Sequence, residues 1–179
     1  MHTILCNLLF GPGERPSIRW IVWSWLGGFL GIFTIEQIGR LIDFGERASL
    51  FLIGSFGASA VLAYGVPRAP FSQPRNVIGG HCISAFVGVS VFLILGNEGI
   101  FVCPLAVSLA IAVMQFTGTV HPPGGATALI AVIGGDAVHQ LGYWYVLCPV
   151  GLGALIMVGV AWFTNNLSKD PSRKYPSLK

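Results

Sequence analysis

What most constrains this chain is the length of the stretches that carry no charge. Trp20 to Ile35, Leu50 to Val66, Gly79 to Leu95, Gly99 to Gly118 and Ala137 to Asn165 contain no Asp, Glu, Lys or Arg. A helix needs about 20 apolar residues to cross the ~30 Å hydrocarbon layer, and several of these stretches approach that length. Charged residues make up 9% of the 179, where soluble domains carry about 25%. The expected fold is an all-α membrane protein forming a single transmembrane domain over 1–179.

Glycine and proline break the pattern in two places. Behind "TVHPPGG" the uninterrupted apolar run Ala126 to Ile133 has eight residues, only about 12 Å of helix at 1.5 Å per residue. It cannot cross alone. The heptad GASAVLA (Gly57 to Ala63) reads almost like GATALIA (Gly125 to Ala131), with four identities at an offset of 68 residues. Each copy follows a hydrophobic helix (about 18–38; about 100–118), begins in a Gly- or Pro-rich break and precedes another helix (about 78–95; about 142–164). This organisation predicts two three-segment repeats, about 18–95 and about 100–164, with four long transmembrane helices and two short, broken or re-entrant ones. The flanks are an N-terminal segment, 1–17, and a basic cytoplasmic tail, 165–179.

Cytoplasmic loops collect Lys and Arg, which tests the span count. Six crossings put Arg15, Arg19, Arg68, Arg75, Lys169, Arg173, Lys174 and Lys179 on one face and Arg40 and Arg47 on the other, eight to two. Four crossings give six to four, so six are favoured, with both termini cytoplasmic. Three segments per half being odd, the repeats are inverted.

Backbone left non-helical at membrane depth must be buried in protein or line a polar cavity, and paired broken segments mark transport sites. Pro122 and Pro123 lack a backbone donor and push His121 onto extended chain. Gly124 and Gly125 permit close approach, and Ala126 and Thr127 start a helix whose first amides have no partner within it. Such an end suits a small anion. Gly54, Ser55, Phe56 and Gly57, ahead of Ala58 and Ser59, repeat the arrangement. The competing reading is close helix packing by small residues. His121, the one ionisable group inside the second break, is a candidate to lend a proton or a charge, or else a loop cap. His81 begins the next long segment and is either on the pathway or an interfacial anchor. Arg75 and Asn76, in the proline-interrupted loop "VPRAPFSQPRN", are candidate pathway residues, although topology alone accounts for Arg68 and Arg75. His139 and Asp136 read as solvated loop residues.

The other features are structural. Glu36, Arg40, Asp43 and Arg47 are spaced to pair along a helix, and the tryptophans fit aromatic belts. Cys6, Cys82, Cys103 and Cys148 have no ligand spacing and read as reduced thiols; no metal or cofactor is expected. The net charge of +3 is explained by topology, not nucleic acid. The 24 glycines suit tight packing within or between protomers, which leaves a homo-oligomer open. Nothing at the N-terminus reads as a cleavable signal.

"IGSFGASAVLAYGVPRAPFSQPRNVIGGH" (Ile53 to His81) and "HPPGGATAL" (His121 to Leu129) make the chain, from about Arg15 to Asn165, resemble the HPP family of integral membrane proteins. His121, Pro122 and Pro123 supply the tripeptide that gives the family its name. The resemblance implies four transmembrane helices, fewer than the six segments counted above, and associates chloroplast and cyanobacterial members with nitrite transport. Some members carry a C-terminal pair of CBS domains, which these residues do not include. With no Arg/Ser-rich transit peptide, a bacterial inner membrane of cyanobacterial type is expected ahead of a chloroplast envelope.

Two functions follow as expectations. One is a permease for a small inorganic anion such as nitrite, bound at the two facing helix starts with His121 assisting. The other is a membrane sensor or assembly module for a soluble partner. An enzyme is not expected, because no nucleophile and base, carboxylate pair or metal cluster stands at membrane depth.

Overall fold

The computed structural model describes residues 16–42 and 54–177. Cys6, Arg15, Asp43, Arg47, Lys179 and the start of the Leu50 run lie outside them. Among the described residues every regular element is helical. Helix α1 spans Ile18–Leu41, α2 Gly54–Ala60, α3 Pro74–Leu95, α4 Val102–Thr117, α5 Pro123–Ile133, α6 Asp136–His139 and α7 Leu152–Leu167. A π-helical turn, Val61–Gly65, extends α2, and a second, Val146–Gly151, leads into α7.

Among the described residues three helical segments are long and apolar enough to cross a bilayer: Ile18–Leu41, Pro74–Leu95 and Val146–Leu167. The 16 residues of α4 and 11 of α5 are shorter; α5 reaches only about 16 Å. Phe29, Leu93, Ile111, Phe116, Leu155 and Phe163 are exposed, as lipid-facing side chains are. The last long segment was expected to be continuous. It is interrupted instead at Cys148 (φ −144°, ψ 116°), ahead of Pro149, because proline cannot donate the helical hydrogen bond.

Helix α1 begins with the Ser17 hydroxyl accepting from Trp20 N at 3.2 Å. Gly27, Gly31, Ile35 and Gly39 recur every four residues as its buried stripe. Tyr64 of the first π turn lies in that groove: a Cβ on Gly31 would sit 2.0 Å from its Oη. The Tyr64 hydroxyl donates to Met157 O of α7 at 3.1 Å, so one aromatic ring ties together α1, the first break and α7.

The tail is not a free basic segment. Arg173 is completely buried and donates to Trp20 O, Ser24 Oγ, Tyr64 O and Asn165 Oδ1 at 2.7–3.3 Å. It also stacks on the Trp20 ring, 4.5 Å from its centroid. Burial holds its guanidinium below the usual arginine range. Asp136 and His139 form the short α6 rather than a loop; the His139 ring stacks on Phe92, and Nε2 lies 2.9 Å from Val132 O. Glu36 pairs with Arg40 as spaced.

Candidate functional site

The His-Pro-Pro break is held against the first two turns of α3. Arg75 Nη2 donates to Thr117 O at 2.7 Å and Asn76 Nδ2 to Val120 O at 2.8 Å. Gly80 makes the contact possible: a Cβ there would stand 2.4 Å from His121 Cβ and 2.9 Å from Thr119 O. Thus the segment "RNVIGGH" of α3 forms the bed for Thr119 to His121, and Arg75 and Asn76 act as clamps on that segment.

Six side chains from four pieces of chain then meet. Ser55, Phe56 and Ser59 come from α2, His81 from α3, His121 from the break, and Thr127 from α5. All are essentially inaccessible to solvent. His81 is the eighth of 22 residues in α3, about 10 Å along the helix from its start. Ser59 Oγ lies 2.7 Å from His81 Nε2 and 2.7 Å from His121 Nε2. His81 Nδ1 is 2.7 Å from Thr127 Oγ1, which donates to Ser55 Oγ at 2.9 Å. His121 Nδ1 is 2.8 Å from Phe71 O. The two imidazoles meet edge to face at 4.9 Å between centroids, and Phe56 meets His81 in the same way at 5.1 Å. Phe56 in turn fills the place of the absent side chain of Gly153 on α7.

The heavy atoms fix one proton. A carbonyl only accepts, so His121 Nδ1 carries a hydrogen for Phe71 O, and in the neutral ring Nε2 is then an acceptor. Phe71 contributes through its backbone, which residue type does not signal. The Ser59 bridge could have been anticipated only as a member of the repeat.

The other candidates lie elsewhere. Gly54, Gly57, Ala58, Pro122 and Ala126 are exposed, on the outer sides of the two breaks. The first amides of α5 are also not free as expected: Gly124 N donates to His121 O at 2.8 Å and Gly125 N to Pro122 O at 3.1 Å. The turn closes on itself because Pro122 is already helical (φ −52°, ψ −39°). On the far side of the break, Pro122, Gly125 and Ala126 share with Val107, Ile111 and Leu129 a hollow of about 560 Å³. Its lining side chains are apolar and offer an anion nothing. Among the described residues no cluster of His, Cys, Asp and Glu is arranged to hold a metal.

Long apolar helices, broken short ones and a buried imidazole pair define an all-helical integral membrane protein. The chain belongs to the HPP family: the family's transmembrane region matches residues 13–176. It is similar to two transmembrane proteins of Dictyostelium discoideum. One is 44% identical over 165 residues, covering 90% of this chain and 52% of the relative. The other is 45% identical over 172 residues, covering 93% and 59%. The chain thus spans a little over half the length of these relatives. No solved structure matches it.

Proposed function

We propose that this protein is a membrane permease for a small inorganic anion, with nitrite the first candidate, and that it is not an enzyme. The observation that carries the reading is the meeting of the two broken segments at Ser59, between the rings of His81 and His121. Buried ionisable groups inside membrane helices belong to substrate and ion pathways by default, and broken helices at matching places in two repeats are the usual frame of such a pathway. With Gly124 N and Gly125 N already bonded, the imidazoles rather than the helix starts are the groups that meet the anion. No carboxylate contacts either ring among the described residues, so a protonated ring has only a transported anion to neutralise it. The two repeats are taken as inverted, with both termini cytoplasmic, in a bacterial inner membrane; both relatives above come from an amoeba.

Uptake by proteoliposomes tests the reading. Purified protein is expected to give nitrite entry above that of empty vesicles, and His121→Ala is expected to impair it with the helical content retained. Entry no faster than in empty vesicles at any pH tried removes the assignment.

A further inference from the structure

The polar groups at the centre of this protein form one chain with two longer side contacts, Ser59 Oγ to Ser55 O at 3.2 Å and Thr127 Oγ1 to Pro123 O at 3.4 Å, and the hydrogens along the chain can be counted. From Phe71 O the order is His121 Nδ1 and Nε2, Ser59 Oγ, His81 Nε2 and Nδ1, Thr127 Oγ1, Ser55 Oγ. Each contact needs one hydrogen, and each hydroxyl has one to give. Thr127 gives its hydrogen to Ser55, so His81 Nδ1 must supply the one shared with Thr127. If His81 is neutral, its Nε2 then takes the hydrogen of Ser59. Ser59 Oγ in turn must accept from His121 Nε2, whose ring already donates from Nδ1 to Phe71 O. The five contacts along the chain are therefore filled when the pair of rings holds one proton more than two neutral imidazoles, while the side contacts to Ser55 O and Pro123 O receive no hydrogen of their own.

We propose that His81, Ser59 and His121 form a proton relay that gives this membrane protein a proton-carrying activity. The relay rests on the reading of a transport pathway above and adds a second carried species. The step balances without any other reactant. His81 Nε2 gives its hydrogen to Ser59 Oγ while Ser59 Oγ gives its own to His121 Nε2. One N–H and one O–H bond break, one of each forms, and the positive charge passes from one ring to the other. Both 2.7 Å contacts serve as they stand, with no ring rotation. Water on one side supplies the extra proton and water on the other receives it.

The groups that face the pair, Ser55, Ser59 and Phe56 of α2 and Thr127 of α5, carry no charge. On α3 itself the nearest charge is Arg75, which is exposed and bonded to Thr117 O. Ser59 belongs to the first repeat and His121 to the second, so separating the repeats cuts the relay, which ties proton passage to the conformation of the bundle.

The test is proton entry into proteoliposomes containing a pH-sensitive dye, driven by a potassium and valinomycin potential, with and without a nitrite gradient. The wild-type protein is expected to acidify the lumen faster than empty vesicles do. Ser59→Ala leaves both rings without their link and should slow entry about a hundredfold or more, the scale on which a positioned proton-transfer group acts. His121→Gln keeps a donor for Phe71 O but cannot carry the charge, and should do the same; it decides the matter if Ser59→Ala does not fold. Wild-type proton entry no faster than in empty vesicles overturns the relay, as do folded Ser59→Ala or His121→Gln variants with undiminished entry. Nitrite entry without proton entry leaves the permease reading standing and removes the relay. Proton entry without nitrite entry supports the relay and removes nitrite.

Discussion

Gly80→Ala is the smallest change that should separate the two broken segments. The added Cβ would sit 2.4 Å from His121 Cβ and 2.9 Å from Thr119 O, and neither neighbour is the flexible end of a side chain. An ordinary carbon contact begins near 3.4 Å, so the His-Pro-Pro segment must retreat by about 1 Å. Overpacking of this kind costs about 1–3 kcal/mol, partly offset by the 0.5–1 kcal/mol that alanine gains over glycine within a helix. A retreat of that size also stretches the 2.7 Å contact between His121 Nε2 and Ser59 Oγ beyond hydrogen-bond range. Gly28→Ala is the matched control, because a Cβ there meets nothing within 4 Å. Gly28→Ala shares that helix gain, so unfolding in mixed micelles should show Gly80→Ala destabilised relative to it by the full overpacking cost of about 1–3 kcal/mol, and proteoliposome transport should be lost in the first and kept in the second. Equal stability and equal transport in the two variants would refute the packing argument.

Other substitutions probe separate parts of the structure. Arg173→Met removes donors to four acceptors while keeping most of the apolar stem, and should cost about 2–4 kcal/mol in the same unfolding assay. Glu36→Gln breaks the exposed pair with Arg40 and should change stability by less than about 0.5 kcal/mol. Hydrogen bonds from the Ser172 side chain and backbone hold the Asp170 carboxyl below its ordinary value. Its contribution to capping the Pro171–Arg173 turn is therefore complete above pH about 4 and lost as pH falls through the lowered value. Ser172→Ala should move that titration upward, as followed by NMR of the aspartate side chain.

Much of this architecture can be read from local pattern, because charge-free length and Gly/Pro punctuation are local properties. Tyr64 in the groove of Gly27 and Gly31 and the fully buried Arg173 depend on partners far away in the chain. Among the site residues, His121 stands out beside two prolines, while His81 reads no differently from an interfacial anchor. Its role comes from Ser59, 22 residues back, and Thr127, 46 residues ahead, distances over which no helical period connects residues. The one local signal was the pair Gly79 and Gly80 just before it, which leaves room for another backbone. Phe71 contributes only a carbonyl, so its side chain gives no clue. The tight turn at Pro122 uses up the amides that glycine and a helix start suggest are free.

The meeting of the two broken segments at Ser59 is tested most directly by nitrogen-15 NMR of the two histidines in lipid bilayers, with and without Ser59→Ala. The predicted result is a hydrogen held on His121 Nδ1 and a change in the Nε2 signals of both rings when the one hydroxyl is removed. A His121 spectrum that ignores the substitution would contradict the account, since the second break would then not touch the first.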